Sequence, residues 1–207
     1  MGATEEHPMH ALAQFLPPDT FTRVVHYLHT YHVHLTVTRA RKSVLGDYRN
    51  AVPGKNHRIS VNGNLNPYAF LITLLHELAH LLTHERYGHR VAAHGKEWKQ
   101  QYGRLLADFL QHKIFPEDIA QELHQSLHNP AASSCAEESL MRVLRRYDPE
   151  KNGVILVEEV PPGATFITRD GRVFQKGDKL RKRYRCKELQ TGLIYLFSPI
   201  YEVKMAG

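Results

Sequence analysis

The strongest pattern in the chain is the segment 68–82, which is apolar at nearly every position. Asn66 suits the N-cap of a helix and Pro67 suits the first helical position, so the pattern predicts that a helix begins here. Gly88 is the expected end of that helix. Because a helix that is apolar on every side is normally buried, we expect this one to lie in the core.

The pattern before this helix predicts one further helix and three short strands. After a Pro-Pro-Asp-Thr start signal, apolar residues recur at helical spacing at Phe21, Val24, Val25, Leu28 and Tyr31. Strands are expected near 33–37, 44–48 and 58–61, and these should form a small antiparallel sheet beside the buried helix. The strand near 57–61 is the expected exposed edge, where an extended peptide can bind through main-chain hydrogen bonds.

The pattern after the buried helix predicts three more helices and a β-rich tail. A helix is expected over 95–112, with an apolar face made of Trp98, Tyr102, Leu105, Leu106, Phe109 and Leu110. Shorter helices are expected over 119–127 and 137–147. Strands are expected near 154–157, 164–168, 172–175, 179–187 and 193–197.

These elements predict an α+β protein with two domains. A frayed or disordered N-terminus (1–14) should precede a first domain of helices and a small antiparallel sheet (15–128). A linker (129–136) should then lead to a small, basic, β-rich C-terminal subdomain (137–207).

Composition adds expectations about the setting. The 207 residues are 42% hydrophobic and 23% charged, which is ordinary for a globular protein. No apolar run is long enough for a membrane span, and the N-terminus lacks the pattern of a signal peptide. With only Cys135 and Cys186, a disulfide framework is excluded. We expect a cytoplasmic protein with no membrane partner, and the net charge of +6 favours polyanionic partners.

His76 and His80 lie four residues apart in the buried helix, and Glu77 follows the first of them. On a helix this spacing places both imidazoles on one stripe, where they can bind one Zn²⁺. Glu77 is then placed to take a proton from a water molecule, as in H-E-x-x-H metalloproteases. In a chain with 15 histidines the five-residue match alone is only moderately specific. The alternative is a pair of core histidines bonded to carbonyl groups.

A catalytic zinc site needs a third protein ligand. His94 is preferred, because it follows a chain reversal long enough to return over the metal. His84 lies about 12 Å along the helix from His76, too far to complete a tetrahedron unless the helix ends early. The alternatives to His94 are Glu97, His89 and His84.

Other histidines and the single tryptophan have structural interpretations. Trp98 is interpreted as a wedge that packs two helices together, and a substrate-facing role is the alternative. No further histidine upstream has a partner at ligand spacing on a buried face, so surface or hydrogen-bonded roles are expected for His26, His29, His32, His34 and His57.

These motifs resemble the SprT-like (Spartan-type) zinc metalloproteases. The family pattern is H-E-x-x-H on a buried helix followed, after a turn, by H-G-x-x-aromatic, which this chain matches at His76, Glu77, His80 and His94 to Trp98. The resemblance covers about residues 15–130. It implies a zincin-like metalloprotease core that holds one Zn²⁺ through His76, His80 and His94, with Glu77 as the general base.

The resemblance also implies that the substrates are DNA-associated or DNA-crosslinked proteins and that single-stranded or damaged DNA is a partner. Many family members carry a C-terminal zinc ribbon with two Cys-x-x-Cys knuckles. Here Leu189 replaces the second cysteine of the knuckle that Cys186 begins, and Cys135 is alone where the first pair is expected. We therefore expect a degenerate ribbon that keeps the strands without the metal.

A basic segment in the tail is a candidate nucleic-acid-binding surface. It consists of Arg181, Lys182, Arg183, Tyr184 and Arg185, and it combines cations for phosphate contacts with an aromatic ring for base stacking. On one strand, the three arginines should share a face that Lys182 and Tyr184 do not. The alternative is an ordinary solvated strand face.

The motifs thus predict a zinc-dependent metalloendopeptidase, and the resemblance implies that it acts on DNA-associated or DNA-crosslinked proteins. The alternative is a nucleic-acid-binding or transcription-associated protein with a structural or idle zinc site. Glu77 argues against this alternative, because a structural site has no use for a buried carboxylate beside its ligand. A housekeeping peptidase of small peptides is a third interpretation. The oligomeric state has no recognisable signature in the sequence.

Overall fold

The computed structural model describes residues 9–41, 43–127, 137–150 and 152–206. The chain divides into two compact units, Met1–Asp148 and Pro149–Gly207. The predicted linker 129–136 lies outside the described residues.

The first unit combines helices with one small sheet, as expected for an α+β protein. A short 3-10 helix, His10–Phe15, precedes the regular elements. These are α1 (Phe21–Thr30), β1 (His34–Thr38), β2 (Gly46–Arg49), β3 (Arg58–Asn62), α2 (Pro67–Tyr87), α3 (Lys96–Gln111), α4 (Glu117–Ser126) and α5 (Glu138–Arg145).

The sheet of the first unit differs from the predicted one in two ways. Its strand order is β1-β3-β2, with β1 parallel to β3 and β2 antiparallel to β3. The fully antiparallel sheet was therefore wrong, because the alternation of apolar residues identifies strands but does not encode their direction. The predicted edge near 57–61 was also wrong, since β3 lies in the middle and β2 forms an edge.

The predicted central helix is confirmed as α2, and its start follows the sequence signals. The Asn66 side chain accepts a hydrogen bond from the Ala69 N–H, which caps the helix, and Pro67 occupies its first turn. The helix ends before Gly88, whose φ of 62° is a conformation that glycine adopts readily. Although α2 is buried along most of its length, no helix among the described residues is both long and apolar enough to cross a membrane.

Both ends of the first unit extend beyond the predicted limits. Residues 10–15 are helical where a frayed terminus was predicted, and Leu12 and Leu16 are buried in the core. The helix α5 also belongs to this unit, whereas the sequence analysis assigned residues from 137 onward to the second. The reason is its apolar face, because Leu140, Val143 and Leu144 join the same hydrophobic cluster as α2 and α3.

The second unit is a six-stranded sheet with a small core of its own. Its strand order is β4-β9-β5-β6-β7-β8, and every pairing is antiparallel. The strands are β4 (Val154–Leu156), β5 (Thr165–Ile167), β6 (Val173–Leu180), β7 (Arg183–Glu188), β8 (Ile194–Phe197) and β9 (Glu202–Met205). The core includes Phe166, Phe174, Cys186, Phe197 and Val203.

The basic segment of the tail is a hairpin and not one strand. Residues 181 and 182 form the turn between β6 and β7, so the shared strand face predicted for three arginines holds only for Arg183 and Arg185, which Lys187 joins. Tyr184 is half-buried, with Lys176 Nζ 4.3 Å from its ring centre. Its ring therefore packs against a lysine of the same sheet instead of standing beside the arginines.

Candidate active site

Three histidine side chains converge beside the sheet of the first unit. The helix α2 presents His76 and His80 one turn apart, and His94 lies just before α3. The Nε2 atom of His76 lies 3.3 Å from the Nε2 atoms of both His80 and His94. The alternative third ligands Glu97, His89 and His84 are not members of this group.

The spacing of these three nitrogens fits a zinc ion. Zinc–nitrogen bonds of 2.0–2.1 Å in tetrahedral geometry place two ligand nitrogens about 3.3 Å apart. That is the separation seen from His76 to each of the other two imidazoles. A hydrogen-bonded trio explains the distances less well, because the Nε2 atom of a neutral His76 carries either one proton or one lone pair and can make only one well-directed hydrogen bond.

The electrostatic setting keeps the imidazoles neutral, as a metal ligand must be. Burial, together with the neighbouring histidines, lowers the pKa of His76 to about 3. Burial and His94 lower the pKa of His80 to about 4, and burial lowers the pKa of His94 as well. All three groups therefore offer lone pairs at neutral pH.

Trp98 packs against the histidine cluster from the interior of the protein, as the wedge interpretation predicts. Its side chain is fully buried, and its ring centre lies 4.6 Å from that of His76 and 4.8 Å from that of His94. It also stacks on Tyr102, one turn further along α3. The indole thus fixes the positions of the imidazoles and is not exposed to a substrate.

Glu77 is buried beside the cluster, on the side of β2. Burial, and then Asp47, raise the pKa of its carboxyl group to about 8, while Arg41 acts in the opposite direction. Gly46 of β2 passes so close that a Cβ atom there would lie 2.5 Å from Glu77 Oε1 and 2.8 Å from Thr73 Cγ2. A glycine at this position allows the edge strand to approach the carboxylate.

The cluster opens into a cleft of about 470 Å³. One wall comes from β2 and the residue after it, with Asp47, Tyr48 and Asn50. The other comes from the end of α2 and the segment 88–94. The three imidazoles and Glu77 lie between these walls, so a bound chain would pass directly over them.

The structure also brings together residues that the sequence analysis did not connect. Tyr48 stacks nearly parallel on His80, and its hydroxyl lies 3.0 Å from His57 Nδ1. Beyond it, His57 joins His84 and Glu85 in a second group of metal-ligand type. No local spacing signals this group, because its members come from different elements.

Comparison with known proteins agrees with the geometry. Residues 20–113 match the model of the SprT-like family, a range that extends from α1 through α3 and includes the cluster. None of the curated proteins and none of the solved structures compared with the chain matches it.

Proposed function

We propose that this protein, whose residues 20–113 form a SprT-like domain, is a cytoplasmic zinc-dependent metalloendopeptidase that acts on DNA-associated or DNA-crosslinked proteins. One observation carries the metallopeptidase part of the proposal: three neutral imidazole nitrogens converge beside a buried carboxylate in an open cleft. The DNA-associated substrates rest on the resemblance to the family, and the cytoplasmic setting rests on the composition of the sequence. A purely structural zinc site needs neither the carboxylate nor the cleft.

The residues divide the chemistry between them. His76, His80 and His94 would hold one Zn²⁺, which when bound polarises the scissile carbonyl group and lowers the pKa of a water molecule. Glu77 takes a proton from the attacking water and delivers it to the leaving amine. In the metal-free protein burial raises the pKa of Glu77 to about 8, and the positive charge of a bound Zn²⁺ would lower it, which favours the carboxylate form that accepts the proton.

The edge strand β2 is the proposed platform for the substrate. It pairs with β3 along one side and lines the cleft with Gly46, Asp47 and Tyr48. An extended peptide that adds to its free side would be held by main-chain hydrogen bonds, which read shape more than sequence. This arrangement favours a peptidase with loose side-chain preference.

The proposed DNA contact is the exposed face of the β6–β7 hairpin. Arg183, Arg185 and Lys187 are exposed on one face of β7, and Arg181 and Lys182 are exposed in the turn. Such a row suits phosphate groups. Tyr184 faces Lys176, so we propose a backbone contact without stacking on that ring.

The experiment that tests this proposal is proteolysis of a DNA-binding protein by the zinc-loaded chain, with and without single-stranded DNA, beside Glu77→Gln. Cleavage that requires both DNA and Glu77 supports the whole proposal. Cleavage by the wild type without DNA, lost in Glu77→Gln, keeps the peptidase and rejects the role of DNA. Absence of cleavage, with zinc bound and DNA retained, favours the nucleic-acid-binding alternative.

A further inference from the structure

A second cluster of ligand-type side chains lies one helical turn beyond the proposed zinc site. His84 and Glu85 belong to the end of α2, and His57 lies just before β3. Their candidate ligand atoms all lie within 4.8 Å of one another. Among the described residues, only this group and the trio of the active site meet that condition.

One nitrogen of each histidine in this cluster lies within 4 Å of the same carboxylate oxygen, Glu85 Oε1. His84 Nδ1 is buried without a hydrogen-bond partner, and its distance of 3.9 Å from Glu85 Oε1 is too long for a hydrogen bond. A buried polar atom without a partner costs free energy, which a bound ligand would remove. His57 is also buried, and its Nε2 lies 3.2 Å from the same Glu85 oxygen.

We propose that His57, His84 and Glu85 bind a second divalent transition metal ion, such as Zn²⁺, Ni²⁺ or Cu²⁺. Two imidazoles and a carboxylate form a ligand set that suits these ions. The site goes beyond the proposed peptidase activity and does not depend on it.

The hydrogen bonds of His57 make this site weaker than the first. The Ala51 N–H donates to His57 Nδ1 at 3.1 Å, so the ring proton resides on Nε2, facing Glu85. A metal on Nε2 displaces that proton, and Nδ1 takes up one in turn, so the ring remains neutral. The Tyr48 oxygen, 3.0 Å away, then accepts from Nδ1–H, and the bond from Ala51 is lost.

Tyr48 links the second site to the first. Its ring lies between the two clusters, stacked on His80 at 6.4 Å and on His57 at 5.9 Å between ring centres. Tyr48 and His84 also line the cleft. A metal ion in the second site would therefore fix the position of the wall that a substrate passes.

The test is isothermal titration of the full chain, already loaded with one Zn²⁺, with further ZnCl₂. The wild type should bind a second ion, and His84→Ala and Glu85→Gln should each weaken that binding by more than about tenfold, because loss of an outer partner alone costs 10–100-fold. His112→Ala is the matched control. His112 follows the end of α3, with its Nδ1 3.5 Å from Asp108 Oδ1, and it is in no group of three among the described residues, so this variant should bind as the wild type does.

Several results overturn the proposal. The proposal is wrong if the wild type binds only one ion, or if His84→Ala and Glu85→Gln still bind the second ion as the wild type does. It is also wrong if His112→Ala loses the second ion as completely as those two variants. The first Zn²⁺ must stay bound in every variant. Its loss would mean that the substitution has disturbed the site of His76, His80 and His94, and the second site would then not be the one measured.

Nitrogen-15 NMR of the histidine rings provides a measurement that does not depend on stoichiometry. Before the second ion is added, His57 should show the Nε2–H tautomer, and after it is added the Nδ1–H tautomer. An unchanged His57 tautomer at saturating Zn²⁺ contradicts the assignment of the ligands.

Discussion

The buried charges of the second unit have hydrogen-bond partners, whereas several buried polar atoms near the histidine cluster of the first unit have none. In the second unit, the buried Lys176 donates hydrogen bonds to the carbonyl oxygens of Glu158 and Val160. The buried Glu188 accepts one from the Thr191 hydroxyl. Each of these two buried charges thus has a partner within its own unit.

Buried polar groups such as Asn66 and Thr83 are hydrogen-bonded in the first unit as well, but three buried atoms near the histidine cluster are not. His76 Nδ1, Trp98 Nε1 and Thr73 Oγ1 are buried and have no hydrogen-bond partner. His76 and Trp98 lie at the site where three imidazoles converge, and Thr73 contacts the strand that covers Glu77. His76 Nδ1 is not the nitrogen that faces the other two imidazoles, so these unpartnered atoms mark an incompletely satisfied region around the cluster and are not themselves the proposed metal ligands.

The largest expected effect is the loss of activity in variants of the first unit, where zinc binding distinguishes the proposed metal ligands from the proposed base, Glu77. Glu77→Gln should reduce kcat by about 10²–10⁴-fold, the usual contribution of a positioned acid or base, and His80→Ala should reduce it at least as much because a proposed zinc ligand is lost. Only His80→Ala should also release zinc, because Glu77 is not among the three converging nitrogen donors. Measuring cleavage and bound zinc by atomic emission on the same samples decides this. Zinc loss in Glu77→Gln would reassign the carboxylate as a ligand.

The second prediction concerns the pH dependence of the metal-free protein. Burial raises the pKa of Glu77 to about 8 from 4.5, so its contribution to stability is fully present below about pH 4.5 and is lost as the pH rises to about 8. His76 and His80, with lowered pKa values, lose their contribution in the opposite direction, as the pH falls below 6.5.

Comparison with Glu77→Gln isolates the contribution of the Glu77 carboxyl group to the pH dependence of stability, because the wild type and the variant share the other titrating groups. From pH 6.5 to 8, the metal-free wild type should lose about 1.6 kcal/mol relative to the variant, because the slope of about 1.4 kcal/mol per pH unit falls by half as the pH reaches the pKa of Glu77. Urea unfolding in the presence of a chelator measures this difference. Parallel curves for the two proteins would mean that the carboxyl group is not buried as the structure has it.

The third prediction addresses the second unit, where Lys176→Met should destabilise the fold. The substitution keeps the apolar stem but leaves two buried carbonyl groups without their donor, at a cost of about 1 kcal/mol for each lost hydrogen bond. Chemical denaturation followed in the second unit measures the change. Exposed Lys179→Met, from the same strand, is the matched control and should change little. If Lys176→Met is more stable than the wild type, the free energy of desolvating the buried ammonium exceeds the stabilisation from its two hydrogen bonds.

The sequence was most informative where a feature depends on local spacing. The placement of His76 and His80 on one face follows from helical periodicity, and the start of α2 follows from Asn66 and Pro67. Strand order was not predictable in this way, because alternation is the same for a central strand and an edge strand. The turn at residues 181 and 182 lacks the glycine, proline, asparagine or aspartate that normally marks one.

Contacts between distant residues account for the remaining differences. The helix α5 has an apolar face that a sequence pattern can identify, but the pattern does not say which core that face joins. The group of His57, His84 and Glu85 forms only when β3 packs beside α2. For the same reason, the polar groups that have partners and those that lack them can be distinguished only in the folded chain.

The smallest effect on stability is expected on the exposed face of β7 in the second unit, which carries Arg183 and Arg185. Arg183→Ala combined with Arg185→Ala should change the free energy of unfolding by no more than about 0.5 kcal/mol, as is usual for exposed positions. If this face binds single-stranded DNA, the variant should bind more weakly, and the slope of log K against log salt should fall by about 0.7 for each lost phosphate contact. Fluorescence anisotropy across a salt series measures both quantities. An unchanged slope with unchanged stability would leave these arginines as solvated surface and move the DNA contact elsewhere.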